Sequence, residues 1–286
     1  MYISSSSFSY RLLSGLLFCL LIACRNEADS NNQYVNKWIG TGLEGRVAPV
    51  ASVPFGMMQI GADTRPYGAG YHYDDPSILG FSHLHKSGGG CADFLDILFM
   101  PLPLNSGMAD EELYSKQYQA VLSHKGEKAE PGYYSVGLYD KQLTVELTAS
   151  RRCGLQRYTY ASEGEIPVIV DLKYGSESAC TIQSEHDVDT VYASAFEWVD
   201  PYTVRGYRCS NGWTPGQQVY FYSTFSTPIK ECVLYVDDRR MEGMTSAEGT
   251  NIKALLTFES NTGELEVRTA LSSVDTQGAA KNLWAE

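Results

Sequence analysis

From Pro131 onward, the chain is a succession of short segments that are rich in β-branched and aromatic residues and separated by turn-forming residues. Some alternate between apolar and polar side chains, as in the run Leu143 to Thr148, which places its apolar residues on one face. The predicted strands cover Tyr133–Tyr139, Gln142–Ala149, Leu155–Tyr160, Ile166–Leu172, Val191–Trp198, Val219–Phe225, Ile229–Val236, Lys253–Phe258 and Glu264–Leu271. Many short strands of this kind are typical of a sandwich or a barrel, and the length favours an extended sandwich.

We therefore expect an all-β fold, a large antiparallel β-sandwich of the supersandwich kind, over residues 34–272. Residues 273–286 change character, because Ser272, Ser273 or Asp275 can cap a helix. The apolar residues at helical spacing are Ala280, Leu283 and Trp284. This helix is expected to begin an interdomain linker, and a terminal helix that folds back on the sandwich is the alternative.

The first 23 residues have the features of a lipoprotein signal peptide. Arg11 precedes an apolar run, Leu12 to Ala23, which is too short for a membrane span of roughly 20 apolar residues. The run ends in a sequence that resembles the bacterial lipoprotein box, so we predict lipidation of Cys24. Residues 24–33 then form a polar tether on an exported bacterial lipoprotein of the periplasm or cell surface. An ordinary secretory signal with a chance cysteine is the alternative.

The charge of the chain argues against a nucleic-acid partner. Loss of residues 1–23 leaves 21 basic against 34 acidic residues, a net charge of −13. Binding phosphate requires a basic face, which such a balance does not offer. The charge suits a soluble protein that contacts the membrane only through its lipid anchor.

Five cysteines remain beyond the tether, and their spacing matches no zinc or redox motif. They are Cys91, Cys153, Cys180, Cys209 and Cys232. Buried free thiols are the simpler interpretation, while a Cys180–Cys209 or Cys209–Cys232 disulfide stays open.

The segment from Tyr34 to Pro101 concentrates glycine, aromatic residues, histidine and acids. If the stretch that ends at His85 is extended, the two-residue period places His83 and His85 on one face. The Gly88-Gly89-Gly90 run that follows lets the backbone approach a ligand closely. Paired imidazoles beside bare amides suit a polyhydroxyl ligand, with aromatic rings such as Tyr71 stacking on a sugar face.

Other interpretations of these residues are weaker. A His-x-His pair can begin a zinc site, completed by His72, Asp93 or Cys91, but zinc requires three or four converging ligands. A catalytic Cys91 with one of the histidines is weaker still. Asp93 and Asp96, three residues apart before an apolar strand, are more typical of a turn cap or a fold anchor.

Several segments together resemble the N-terminal domain of glycoside hydrolase family 92. The segments are Tyr34–Gly42, Val53–Gln59, Gly70–Tyr73, Gly80–Cys91, Glu130–Val136 and Ala279–Glu286. The order Gly-Phe-Ser-His-x-His in Gly80–His85 is the most specific of them.

This resemblance implies an exo-acting, calcium-dependent α-mannosidase that acts on α-mannoside glycans with inversion. It also implies an N-terminal β-sandwich followed by a C-terminal (α/α)6 barrel, which holds the general acid, the general base and the calcium ligands. The substrate-binding residues that the resemblance assigns, as lining or supporting the cleft, are His83, His85, Ser87, Gly88, Cys91, Tyr71 and His72.

Two positions depart from the family pattern. Gly88-Gly89-Gly90 stands where Gly-Thr-Gly is common, and Arg46 replaces a smaller residue, which puts the linkage preference in doubt. No barrel is expected within these 286 residues, so we predict no catalytic residue and no metal ligand, and expect this chain alone to be inactive. A standalone, lipid-anchored carbohydrate-binding module is the alternative function.

Overall fold

The computed structural model describes residues 31–89, 93–106, 118–175 and 188–286. The chain divides into two units, Met1–Asn36 and Lys37–Glu286. The described part of the first unit contains a 3-10 helix, Asn31–Tyr34. The second unit contains every strand and the α-helix described below.

The described part of the second unit is built from 18 strands. The first nine are β1 Gly61–Asp63, β2 Ser77–Ile78, β3 Gly80–Ser82, β4 Leu98–Pro101, β5 Ala120–Val121, β6 Glu127–Glu130, β7 Tyr133–Leu138, β8 Leu143–Ala149 and β9 Cys153–Tyr160. The others are β10 Gly164–Asp171, β11 Thr190–Asp200, β12 Thr203–Asn211, β13 Gln217–Phe225, β14 Ile229–Val236, β15 Arg239–Met241, β16 Ser246–Gly249, β17 Ile252–Ser260 and β18 Glu264–Ser272. Short 3-10 helices, His124–Gly126 and Tyr139–Lys141, lie in two of the connections.

These strands form three antiparallel sheets. One sheet has seven strands in the order β1-β3-β4-β10-β17-β14-β15. The second has nine strands in the order β16-β11-β12-β13-β18-β9-β8-β7-β6, and β2 pairs with β5 in a small third sheet. The expected all-β, antiparallel sandwich is therefore confirmed.

The core lies where alternate side chains of the strands turn inward. In β13, for example, every second residue from Val219 to Phe225 is buried, while Tyr220, Tyr222 and Thr224 between them are more exposed. The Phe225 ring lies 4.7 Å from that of Phe258 in the seven-stranded sheet, measured between centroids. Contacts of this kind join the two large sheets, because each sheet has to bury its apolar face against another layer.

The strand predictions from Pro131 onward agree with the structure to within two residues at each end. The agreement is complete for β14, Ile229–Val236. Strand β12 was not predicted, because its sequence interrupts the alternation with Gly206 and with Arg208, which is fully buried. A charged residue on the inward face breaks the alternation of apolar and polar residues by which strands are predicted.

One α-helix, α1, spans Thr276–Ala285. Asp275 caps it by accepting a 2.5 Å hydrogen bond from the backbone N–H of Gly278, as one of the predicted caps. Ala279 and Leu283 are fully buried and pack the helix against the sandwich, whereas Trp284 is 70 % exposed. Trp284 therefore faces solvent and does not belong to the packed face of the helix. The role of the helix as the start of a linker stays a prediction.

The last residue is held against the turn between β8 and β9. Glu286 accepts hydrogen bonds from the Ser150 hydroxyl, from the Arg152 backbone N–H at 2.9 Å and from Arg152 Nε at 2.7 Å. Desolvation opposes ionisation of this carboxyl, but these hydrogen bonds outweigh it and lower the pKa of Glu286 to about 2.

Cys153, Cys209 and Cys232 are free thiols. Both candidate disulfides involve Cys209, so neither forms, and the interpretation as free thiols is confirmed for these three. Cys91 and Cys180 lie outside the described residues.

The predicted signal peptide, the lipidation of Cys24 and most of the predicted tether also fall outside the described residues. Within the ranges that are described, no helix is long and apolar enough to cross a membrane.

Candidate functional site

A cavity of about 220 Å³ lies between two loops of the Tyr34–Pro101 segment. One loop precedes β1 and the other connects β1 to β2. The lining residues are Leu43, Glu44, Arg46, Arg65, Tyr67, Gly68, Ala69, Tyr71 and His72. The cavity therefore combines aromatic rings with cationic donors and a carboxylate acceptor, a mixture that suits a ligand with many hydroxyl groups.

An ion pair inside the second loop shapes the wall of this cavity. Arg65 binds Asp75 through two hydrogen bonds, one of them 2.7 Å from Nε, and Thr64 Oγ1 donates to the same carboxylate at 2.6 Å. Desolvation opposes ionisation of Asp75, but the hydrogen bonds from Arg65 and Thr64 outweigh it and lower the pKa of this carboxyl. Asp75 is thus held as an anion, so it is unsuited to act as a general acid.

The Arg65 guanidinium also lies 4.9 Å from the centre of the Tyr67 ring, at cation–π distance. Tyr67 is 36 % exposed, so part of this oriented ring is open to a ligand. Sequence reasoning missed Arg65 and Tyr67, although both lie directly before the Gly68–Gly70 stretch that it singled out.

Tyr71 lines the cavity but is only 2 % exposed, so its ring is packed against protein and is not open to stack on a sugar as expected, and its hydroxyl is anchored. Tyr71 Oη donates to Glu127 Oε1 at 2.9 Å, and Tyr134 Oη donates to the same oxygen at 2.6 Å. The second oxygen of the buried Glu127 carboxylate lies 2.5 Å from His124 Nδ1. The His124 ring in turn stacks on Tyr73 at 3.9 Å between centroids. Glu127 therefore holds this wall of the cavity from β6, which is distant in the chain.

His72 connects the two loops around the cavity. Its Nε2 lies 3.1 Å from the Leu43 carbonyl oxygen, and its Nδ1 accepts a hydrogen bond of 3.2 Å from the Asp74 backbone N–H. The Nδ1 acceptor leaves Nε2 to carry the proton and donate to Leu43. His72 is therefore the residue that joins the 43–46 loop to the 65–75 loop.

The glycine-rich loop lies against the rim of the same cavity. Gly88 has a φ of +79° and donates its backbone N–H to the Arg46 carbonyl oxygen at 2.6 Å. Ser87 Oγ accepts a 3.3 Å hydrogen bond from the Ala48 backbone N–H. Both Ser87 and Gly88 are exposed. Gly90 and Cys91, which continue this loop, lie outside the described residues.

His85 is buried behind the cavity. Its Nδ1 lies 2.8 Å from the Gln59 carbonyl oxygen, and its Nε2 lies 3.2 Å from Asp63 Oδ1. Desolvation opposes protonation of His85, but the charge of Asp63 outweighs it and raises the pKa of this imidazole. Gly70, with a φ of +82°, covers the pair, because a Cβ at this position would lie 2.7 Å from Asp63 Oδ1. The His85–Asp63 pair thus supports the Gly70 loop from beneath.

His83 is also buried, in a different environment. Its Nδ1 lies 2.6 Å from the Ile97 carbonyl oxygen, and its Nε2 lies 3.1 Å from Gln156 Nε2. The Ile97 carbonyl oxygen can only accept, so His83 Nδ1 carries a proton and donates to it. The Gln156 amide N–H donates to His83 Nε2, which is therefore unprotonated, and the imidazole is neutral. Desolvation accordingly lowers the pKa of His83 to about 4. The two imidazoles of the motif therefore have opposite protonation preferences, and the nitrogens of both are bonded to or paired with groups of the protein.

The predicted fold-anchor role of Asp93 and Asp96 is confirmed. Asp93 accepts hydrogen bonds of 3.1 Å from the backbone N–H and the hydroxyl of Thr214. Asp96 binds the fully buried Arg208 at 2.5 Å and accepts a 2.8 Å hydrogen bond from Gln217 Nε2. Both carboxylates thus tie the segment after the glycine-rich loop to the nine-stranded sheet.

The backbone of this anchored segment is strained. Phe94, Leu95 and Ile97 have φ values of +70°, +62° and +60°, in a region that residues other than glycine rarely adopt. The surrounding structure has to hold such residues in place, and they concentrate at functional sites. The buried ion pair between Asp96 and Arg208 supplies part of that constraint.

No group of three or more His, Cys, Asp or Glu side chains in the described part of the chain is arranged to hold a metal ion. In the described ranges, neither His72 nor Asp93 therefore joins His83 and His85 in the cluster that the zinc alternative requires.

The family is shown by comparison with known proteins. Residues 34–272 match the model of the glycosyl hydrolase family 92 N-terminal domain. The chain belongs to glycosyl hydrolase family 92. All residues that line the cavity lie within the part that matches this family.

Solved structures of family 92 enzymes have the same fold. An α-mannosidase of this family from Bacteroides thetaiotaomicron, in complex with mannoimidazole, is 31 % identical, with a TM-score of 0.77 over 89 % of this chain and 34 % of the other. An inverting mannosidase from the same organism is 25 % identical, with a TM-score of 0.71 over 88 % of this chain and 33 % of the other. This family 92 domain is thus similar to mannosidases.

An uncharacterized secreted glycosidase from Arthroderma benhamiae is 30 % identical over 174 residues, which are 57 % of this chain and 22 % of that protein. The chain thus spans about a third or less of the length of these relatives.

Proposed function

We propose that this family 92 domain forms one wall of the glycan-binding cleft of an exo-acting, inverting α-mannosidase. The observation that carries the proposal is the cavity between the 43–46 and 65–72 loops, which lies within the matched domain and offers a stacking ring beside hydroxyl-binding groups. The mannosidase activity of the structural relatives supports α-mannosides as the ligand class.

The predicted binding residues divide into two groups in this proposal. His72 lines the cavity, and Ser87 and Gly88 form its exposed rim beside Arg46. We propose that these three residues face the glycan. Tyr71, His83 and His85 support the cleft, because all three are buried. Cys91 lies outside the described residues, and its part in binding stays a prediction.

We assign the general acid and the general base of the hydrolysis to groups outside the described residues. Inversion requires an acid and a base whose carboxyls are roughly 6.5–9.5 Å apart, with room for a water molecule. Asp93 accepts hydrogen bonds from Thr214, and Asp96 forms an ion pair with Arg208. Asp75 is held as an anion by Arg65. We therefore propose that the acid and the base belong to a C-terminal (α/α)6 barrel.

Calcium is assigned to the same barrel. The described residues do not fit the ion, because they bring together no group of three carboxylate or imidazole ligands. Export as a lipoprotein anchored at Cys24 completes the proposal, and it rests on the order of hydrophobic core, small residue and cysteine in Leu12–Cys24.

The first experiment tests the assignment of the chemistry. Residues 24–286 are produced and assayed against α-mannobiosides in the presence of calcium. No turnover is expected, because Asp75, Asp93 and Asp96 are held by other residues and the acid and the base are assigned to the barrel. Sustained hydrolysis that survives repurification would refute the assignment.

The second experiment tests the cleft wall in the active enzyme that carries this domain. Tyr67→Ala removes the exposed stacking ring, and we expect KM for an α-mannobioside to rise about tenfold while the domain stays folded. Tyr202→Ala is the matched control, because Tyr202 is also exposed but lies in the turn between β11 and β12. An unchanged KM in the Tyr67 variant would exclude this wall from the binding site.

A standalone carbohydrate-binding module is the second candidate, and the packing of α1 favours it. Ala279 and Leu283 are fully buried on the sandwich, so the helix is already partnered. Isothermal titration of residues 24–286 with mannose disaccharides distinguishes the candidates. We expect weak binding or none, because half a cleft buries little ligand surface. Micromolar affinity would favour the module.

A further inference from the structure

A second cavity, of about 160 Å³, lies at the end of β8 and β9 that is opposite α1. Three connections meet there: the residues after β4, the 3-10 helix Tyr139–Lys141 and the turn between β9 and β10. The lining residues are Pro103, Leu104, Asp140, Lys141, Gln142, Tyr160, Ala161 and Ser162. None of them belongs to the cavity of the proposed glycan cleft.

Lys141 is the unusual member of this lining. The residue is only 8 % exposed, and its ammonium forms no hydrogen bond or ion pair with any residue that the structure describes. Other lysines of the chain are paired, including Lys253 with Asp238 and Lys230 with Glu165. The Lys141 Nζ is not one of the fully buried side-chain atoms that lack a partner in the described residues, so the ammonium reaches open space beside the cavity that the residue lines. A cation on such a largely desolvated side chain gains from pairing with an anion.

The environment of Lys141 is short of negative charge although the chain carries 34 acidic residues. Desolvation lowers the pKa of Lys141, while the charge of the neighbouring Asp140 acts in the opposite direction. Asp140 is exposed and forms no ion pair with Lys141, so solvent screens its effect. Among the described residues, no carboxylate forms an ion pair with Lys141, which lines this cavity.

We propose that this cavity binds a small oxyanion, a carboxylate or phosphate group, which pairs with the Lys141 ammonium. The volume admits such an ion, since a water molecule occupies about 30 Å³ of liquid. The exposed Gln142 and Ser162 side chains at the mouth add neutral donors. The site is independent of the proposed function, because it shares no lining residue with the glycan cavity.

Thermal unfolding with added anions tests the proposal. Sodium phosphate and sodium acetate are compared with sodium chloride at equal ionic strength, for the parent protein, Lys141→Met and Lys173→Met. Methionine keeps an apolar stem at position 141, and the exposed Lys173 is the matched control. At tenfold the dissociation constant, phosphate or acetate is expected to raise Tm by about 3 °C in the parent and in the Lys173 variant, and by nothing in the Lys141 variant.

Equal shifts in all three proteins would show an adventitious ion only and overturn the proposal, as would the absence of any shift in the parent. If Lys141→Met does not fold, NMR of the parent after reductive methylation of its lysines replaces the variant. The Lys141 methyl signal is then expected to move on addition of phosphate and not of chloride. A signal that responds identically to both salts would contradict a specific site.

Discussion

The buried His83 makes the stability of this domain depend on pH in a predictable direction. Its ordinary pKa of 6.5 is lowered to about 4 in the folded chain, chiefly by desolvation. In the unfolded chain the imidazole is in water and regains its ordinary value. Between pH 6.5 and pH 4 the unfolded state therefore binds a proton that the folded state rejects, so stability falls as the pH is lowered through this window.

The magnitude follows from the size of the shift. A displacement of about 2.5 pKa units corresponds to about 3 kcal/mol, at 1.36 kcal/mol per unit. The contribution is fully present above pH 6.5 and is lost by pH 4. His85 acts in the opposite direction, because Asp63 raises the pKa of His85. A comparison between variants is therefore required to isolate His83.

Urea unfolding of the parent and of His83→Asn, at intervals from pH 4 to pH 7.5, measures this contribution. Asparagine retains an N–H that can donate to the Ile97 carbonyl oxygen but carries no ionisable group. The variant is expected to be less stable than the parent at pH 7.5. The difference between their free energies of unfolding is expected to narrow by about 3 kcal/mol towards pH 4.

Gln156→Met is the control, since it removes the donor to His83 Nε2 and leaves the imidazole buried. Because burial is the main cause of the shift, the pH dependence should persist in this variant. Parallel stability curves for the parent and His83→Asn across the whole range would refute the reasoning, since they would show that His83 binds its proton equally in both states.

Three further substitutions test the packing around the site, each by urea unfolding at pH 7. Arg208→Ala leaves Asp96 and Asp189 buried without their cation, and we expect a loss of about 3–5 kcal/mol, against which a loss below 1 kcal/mol would argue. Gly70→Ala places a Cβ 2.5 Å from a neighbouring side chain at a φ of +82°, so a loss of about 2 kcal/mol or more is expected, and an unchanged midpoint would contradict the close approach. Asp275→Ala removes the cap of α1 and is expected to cost about 1 kcal/mol, with helical circular dichroism as a second measurement; a gain in stability would contradict the cap.

Much of the sandwich could be predicted because strand formation leaves a local pattern. Strands such as β8 and β14 alternate or concentrate β-branched residues, and turn-formers separate them. Asp275 was recognisable as a cap because it directly precedes the helical pattern. The order of the strands within the two sheets has no comparable local signal, since pairing joins segments that are distant in the chain.

In the candidate site, too, local sequence pattern predicts some features, while others depend on residues that are distant in the chain. The period of two predicts that His83 and His85 share a face with Phe81. All three are buried, but Ser82 and Leu84 between them are buried too, and β3 ends at Ser82, so a shared face stays a prediction. The pattern also does not say what surrounds each imidazole. That depends on Asp63 from β1 and on Gln156 from β9, which lies 73 residues further along the chain than His83.

The sequence by itself determined the family segments, most of the strand pattern and some of the residues that line the candidate cavity. The tertiary structure decided which of those residues are open to a ligand and which are buried supports. It also decided the opposite pKa shifts of two histidines that stand two positions apart, one desolvated beside an amide and the other beside a carboxylate. The physical reason is that burial and charge at one side chain are set by neighbours from other strands, and only folding brings those neighbours together.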